Sequence, residues 1–230
     1  MKFKSVILIG CLILILSVSA VFGEQGLVAE SLQSNVPAAL LKEIIEKIET
    51  RYSASSFSAA FFQESTLKAM EITDSAAGKV YVKRPDRLRW EYESPERQII
   101  ITDGKTLWIF KPEDRQVMIG NAPSFFKDGK GAGFLSDIKQ IRKNFNILLT
   151  AEKETSYILK LFPLNKTMDF SYLQLSISKA TSDIIQINTY NTYGDETRIM
   201  LSDFQYNAKM EDSFFTFTPP ENTDILKLDP

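Results

Sequence analysis

The chain contains no histidine and a single cysteine, Cys11. Without histidine there is no Ser-His-Asp or Cys-His catalysis, and the commonest metal ligand is missing. Cys11 sits in an N-terminal apolar stretch. Beyond that stretch no thiol remains for a disulfide, a thiolate nucleophile or a cysteine metal site. Few enzymes work without either residue, although carboxylate chemistry remains open, so we expect no catalysis, no cofactor and no metal. Charge of one sign is also lacking: 27 basic residues face 29 acidic ones, a net of −2. No basic tract of the kind that grips phosphate backbones occurs, which makes nucleic acid and anionic membrane surfaces poor partners. The nucleophile-elbow pattern G-x-S-x-G is absent. Gly129-Lys130-Gly131-Ala132-Gly133 follows no clear strand and matches neither phosphate-cradling glycine motif in full, so we read it as a flexible loop.

What is present begins with an export signal. Lys2 and Lys4 form a basic head, Val6 to Leu16 is almost wholly apolar, and Ser17 to Gly23 turns small. That is the three-part pattern of a secretory signal peptide. The apolar part is too short for a permanent membrane span. Cleavage after Ala20 and after Gly23 both satisfy the small-residue rule, and we place the leader at 1–23. Leu8-Ile9-Gly10-Cys11 resembles a lipoprotein acylation box, but apolar residues continue to Leu16, so Cys11 reads as a small hydrophobe. Residues 24–35 are polar and aperiodic, a flexible lead. Residues 36–230 then form one domain, large enough to bury its own core. Loss of the leader removes two lysines and leaves a net charge of −4.

Pro37 opens a helix, where its missing N–H costs nothing. Leu40, Leu41, Ile44, Ile45 and Ile48 share one face of it, with Glu43 and Lys47 at supportive spacing elsewhere. From Phe57 the period becomes two. Strands are predicted over Phe57 to Gln63, Lys79 to Lys83, Leu88 to Tyr92, Ile99 to Thr102 and Thr106 to Phe110. The last two flank Asp103-Gly104, a two-residue hairpin signal. Ile158 to Phe162, Tyr172 to Ser178, Ile184 to Tyr190 and Thr197 to Tyr206 continue the pattern. Between these groups Phe134, Ile138, Ile141 and Phe145 recur at helical spacing, a second amphipathic helix. No βαβ alternation occurs, so the sheet is expected to be antiparallel.

The aromatics cluster mid-chain. Trp90, Tyr92, Trp108 and Phe110 stand beside Ile99, Ile101, Leu107 and Ile109. In Leu107-Trp108-Ile109-Phe110 both strand faces are apolar, whereas an open antiparallel sheet usually keeps one face wet. Two readings stay open: a sheet covered on both faces, or a concave sheet whose inner face lines an apolar cavity. The sequence does not fix which face points inward, so Leu107 and Ile109 can take the place of Trp108 and Phe110.

The order of motifs adds a resemblance. Lys79-Val80-Tyr81-Val82-Lys83-Arg84-Pro85, Leu88-Arg89-Trp90-Glu91-Tyr92 and Ser94-Pro95 resemble the central signature of the LolA outer-membrane lipoprotein carriers. Ile101-Thr102-Asp103-Gly104-Lys105-Thr106-Leu107-Trp108 continues it. Phe57 to Gln63 is similar to the family's early strand, and Phe215-Thr216-Phe217-Thr218-Pro219-Pro220 to its C-terminal motif. The resemblance implies a mainly β (α+β) fold: a strongly curved antiparallel sheet forming an incomplete β-barrel, with amphipathic helices as a lid over an apolar cavity.

It further implies a periplasmic chaperone, expected to act as a monomer. Such a carrier takes acylated lipoproteins from an inner-membrane exporter and delivers them to an outer-membrane receptor. Phe57, Phe61, Val80, Val82, Leu88, Trp90, Tyr92, Ile99, Ile101, Trp108 and Phe110 are the candidate acyl-chain cavity. Leu40, Leu41, Ile44, Ile45, Ile48, Phe134, Ile138 and Ile141 belong to the lid helices. Arg84, at a strand end restrained by Pro85, carries the lid-holding role. The rival reading is a periplasmic module that senses lipids or lipoproteins and regulates rather than transports.

Overall fold

The computed structural model describes residues 38–123, 135, 138–165 and 170–228. The leader, the lead with Pro37, the glycine-rich loop and Phe134 lie outside the described residues.

The first element is α1 (Ala38–Arg51). Its apolar stripe turns Ile44 and Ile48 inward, each 3% exposed, while Lys42–Glu46 and Glu43–Lys47 pair along the wet side. Six strands follow: β1 (Ser56–Leu67), β2 (Ile72–Lys83), β3 (Arg87–Ser94), β4 (Gln98–Thr102), β5 (Thr106–Lys111) and β6 (Gln116–Asn121). A short helix, α2 (Gln140–Asn144), leads into β7 (Phe145–Glu152). The chain continues through β8 (Ser156–Pro163), β9 (Tyr172–Ser178), β10 (Ile184–Tyr190) and β11 (Glu196–Tyr206) to β12 (Asp224–Lys227).

All twelve strands make one sheet in the order β12-β6-β5-β4-β3-β2-β1-β11-β10-β9-β8-β7. The sheet is curved and not closed, so β7 and β12 are its edges. Neighbours are antiparallel except β12, which runs parallel to β6. That single exception departs from the expected all-antiparallel sheet: the chain returns from β11 across the outside and reaches β6 from the far end.

Long β1 is the spine, pairing with β2 on one side and β11 on the other. Its alternation sorts the faces. Phe57, Ala59 and Phe61 are each at most 3% exposed, whereas Phe62 on the other face is 40% exposed. Registered pairs carry the inner face outward from there, through Ala59–Val80, Val80–Trp90, Trp90–Ile100 and Ile100–Ile109. On the other wing Leu159, Leu175 and Ile187 are registered partners in the same core.

Two local expectations are corrected. The Asp103-Gly104 turn is longer than a two-residue hairpin, because Thr102 pairs with Leu107. Asp103 Oδ1 accepts from the Lys105 and Thr106 amides at 2.8 and 2.7 Å and holds the wider loop, with Gly104 at φ 93°. Within the described residues the second helix is also shorter than its spacing predicts: α2 ends at Asn144, and Phe145 already belongs to β7. Pairing of Phe145 with Pro163 across β8 outweighs the helical period there.

Candidate functional site

The inner face of the sheet is one apolar surface, and α1 lies on it. Phe57, Phe61, Val80, Val82, Leu88 and Trp90 share a single buried cluster with Ile44, Ile48, Ile138 and Ile141. Leu40, Leu41 and Tyr92 are partly buried against it. Ile45 is half-buried at the edge of the helix stripe. The second wing supplies residues that were not singled out from sequence, among them Leu149, Leu159, Leu161, Leu173, Leu175 and Ile177. Their signal was present as strict alternation in Leu173-x-Leu175-x-Ile177.

Four candidate cavity residues lie elsewhere. Ile99, Ile101, Trp108 and Phe110 alternate with the inward residues and project to the outer face. Period two decides this once Trp90 is inward: its partner is Ile100, whose partner is Ile109. Leu107 and Ile109 are the inward residues of β5, in a smaller cluster with Ala122 that Leu228 flanks.

The outer face of β2 to β5 is covered by the C-terminal segment. Phe217 stands 4.8 Å from Phe110, Phe214 5.0 Å from Tyr81, and Arg89 lies 4.5 Å over Phe214. Lys83 and Arg87 both bind Asp212, which fixes the turn that places Phe214 and Phe215. So both faces of β5 are apolar because both are covered, one by its own tail.

α1 is held chiefly at its C-terminal end. Arg51 Nε donates to Asp183 Oδ1 at 2.7 Å, Tyr206 donates to the same oxygen at 2.6 Å, and Arg51 lies 3.8 Å over the Tyr206 ring. Burial alone would push Asp183 up. The hydrogen bonds from Arg51, Tyr206 and Thr181 outweigh it and keep the carboxyl below its usual value. Tyr52, almost fully buried, accepts from the Ile184 amide at 3.1 Å. Glu49 reaches α2 through Arg142 at 2.6 Å, coupling the two helices.

Arg84 follows the last residue of β2. Its Nη1 donates to the Ala54 carbonyl at 2.6 Å and its Nη2 to the Leu135 carbonyl at 3.4 Å. Those carbonyls belong to the chain leaving α1 and to the approach to α2. A guanidinium suits this place because its planar fork carries several donors and no acceptor.

At the other end of β2 the inner face becomes polar and opens. A pocket of about 750 Å³, part of it open solvent, is lined by Gln63, Asp74, Tyr92, Arg97, Gln98 and Lys111 among others. Tyr92 donates to Gln63 Oε1 and Gln63 Nε2 to Ser65, both at 3.1 Å. Among the described residues no three acidic side chains converge to hold a metal.

An open, curved sheet with a covered apolar inner face and a polar mouth has the build of a binding protein for apolar ligands. Residues 52–218 match the family described as outer membrane lipoprotein carrier protein LolA, and the chain belongs to that family. It is 27% identical over 175 residues to the outer-membrane lipoprotein carrier protein of Nitrosomonas europaea, covering 76% of this chain and 84% of that one. The carrier of the same description from Legionella pneumophila is 26% identical over 195 residues, covering 84% and 91%. In fold it is similar to an uncharacterized conserved protein from Thermus thermophilus, with a TM-score of 0.55 at 14% identity over 82% of this chain and 99% of that one.

Proposed function

We propose that the protein is a periplasmic carrier for acylated lipoproteins. It takes them from an inner-membrane exporter and delivers them to an outer-membrane receptor. The observation that carries this reading is the apolar inner face, covered by a helix fastened through Arg51 and Arg84 rather than by a continuous shell. In this reading residues 1–23 are the export leader, 24–35 the lead, and 36–230 the carrier domain.

The physical task explains the build. Burial of each acyl CH₂ is worth about 0.8 kcal/mol, so several long chains hold a lipoprotein in its membrane by tens of kcal/mol. A carrier must offer a comparable refuge and still let go. The inner face supplies the refuge, since Phe57, Val80 and Val82 are wholly buried under the lid. Displacement of α1 and α2 would exchange helix side chains for acyl chains at nearly equal apolar area. The hydrogen bonds lost at Arg84 then make the loaded state less comfortable, and delivery needs only a receptor that holds the chains better.

The test is to purify the protein from the periplasm and identify what copurifies. Triacylated lipoprotein supports the carrier. Glycolipid in its place would favour a sensing module, and accelerated lipid hydrolysis would require an enzyme.

A further inference from the structure

Among the described residues the inner face holds a polar atom that its surroundings do not satisfy. Trp90 is 5% exposed, and its indole nitrogen meets no acceptor among the described residues. An indole N–H is a donor only, and a buried tryptophan normally finds an acceptor for it. The side chains clustered with Trp90 are hydrocarbon or aromatic. In the adjoining pocket Tyr92 bonds Gln63 and Gln63 bonds Ser65.

The position of this donor is informative. The Phe61 ring lies 4.9 Å from Trp90 and 5.0 Å from Tyr92. Tyr92 and Gln63 are walls of the open pocket. Phe61 therefore packs against both Trp90 and a wall of the open pocket, at the boundary between the polar mouth and the apolar floor that runs under α1.

A hydrocarbon chain has no acceptor, but the ester group at its head has one. A free carboxylate would pair with the basic Arg97 and Lys111 of the mouth rather than sit unpaired at that depth. A neutral ester carbonyl needs only one donor. We propose that Trp90 Nε1 donates a hydrogen bond to an ester carbonyl of the bound acyl chains, which reach it through the pocket past Phe61. The bond sets the register of the ligand: chains run on beneath α1, and the glyceryl head stays in the mouth between Tyr92 and Gln98. This inference rests on the carrier reading and adds to it the feature by which ester-linked chains are told from plain hydrocarbon.

The experiment is equilibrium binding to the purified protein with three probes. These are an S-dipalmitoylglyceryl-cysteine lipopeptide, its dialkyl-ether counterpart, and dipalmitoylphosphatidylglycerol as a second source of the same ester. The wild type is expected to bind the ester lipopeptide about five-fold more tightly than the ether, the effect of one net hydrogen bond. Trp90→Phe is expected to abolish the ester preference, bringing the ester-to-ether affinity ratio to about one whatever the change in ether binding itself. Equal loss for both probes would reduce Trp90 to an apolar contact and overturn the proposal. Should Trp90→Phe fail to fold, the wild-type ratio decides, and equal ester and ether affinity overturns it. An ester preference seen with phospholipid and no lipopeptide binding would uphold the donor and sink the lipoprotein carrier. Binding of none of the three would overturn both.

Discussion

Arg84 Nη1 donates to the Ala54 carbonyl at 2.6 Å, joining the end of β2 to the chain that leaves α1. The same guanidinium reaches Leu135 on the way to α2. One side chain thus fastens the approaches to both helices. Arg84→Leu removes these bonds without touching the apolar inner face, so folding and loading are expected to persist. The closed state loses its advantage over the loaded one, and transfer to vesicles bearing the outer-membrane receptor is expected to fall about ten-fold, the effect of one charged hydrogen bond. Arg84→Lys should be intermediate, since an ammonium lacks the fork. Transfer at the wild-type rate by the leucine variant would remove Arg84 from the mechanism.

Gly78 occupies a place on the inner face where a side chain has no room. A Cβ there would stand 1.8 Å from the Glu91 carbonyl oxygen and 3.0 Å from Phe61. The bulge that shifts the β2–β3 register at Ala77/Gly78 brings the strands this close. Gly78→Ala must move backbone rather than a flexible side-chain end, so we expect a loss of about 3 kcal/mol or more, or failure to fold. Urea unfolding measures it; a variant within about 0.5 kcal/mol of wild type would contradict the close approach.

Much of this architecture was legible in the sequence. The α1 stripe from Leu40 to Ile48 and the strand β9 follow directly from their periods, because each turns one face into the core and leaves the other more exposed. β6 and β7 did not stand out, since Val117-Met118-Ile119 and Ile147-Leu148-Leu149 are short apolar runs without alternation. β12 has four residues and is exposed throughout, so no pattern marks it. The faces of β4 and β5 were ambiguous for a specific reason: the tail carrying Phe214 to Phe217 returns to cover the outside, and no local period reports a cover supplied from so far along the chain. Arg84 was singled out by its Arg-Pro step at a strand end together with the resemblance, because a lone arginine there carries no periodic pattern.

The two tryptophans now have different stations, and fluorescence can tell them apart. Trp90 faces the inner cluster and Trp108 the outer face. On adding lipopeptide, the emission shift is expected to survive Trp108→Phe in full and to vanish in Trp90→Phe. A shift lost with Trp108 instead would reverse the faces assigned to β3 and β5.

The last expectation concerns the anchor of α1. Asp183 is 5% exposed and accepts from Arg51 and Tyr206, and its carboxyl is held below the usual value. The unfolded chain therefore takes up this proton before the folded one does. The stabilisation is fully present above the ordinary aspartate value of about 3.9 and is lost as pH falls through the lower folded value. Between about pH 5 and 8 this group contributes no slope. Asp183→Asn keeps the shape but loses the charge that Arg51 and Tyr206 address, and is expected to lower stability by about 1–3 kcal/mol at neutral pH. The gap between wild type and variant should then narrow as pH is taken from about 5 down to about 3, because protonation turns the wild-type carboxylate into a neutral group like the amide. Chemical unfolding at a series of pH values measures that gap. A gap unchanged across that range would mean that the charge on Asp183 does not hold α1, and that the helix is kept in place by Ile44, Ile48 and Tyr52 alone.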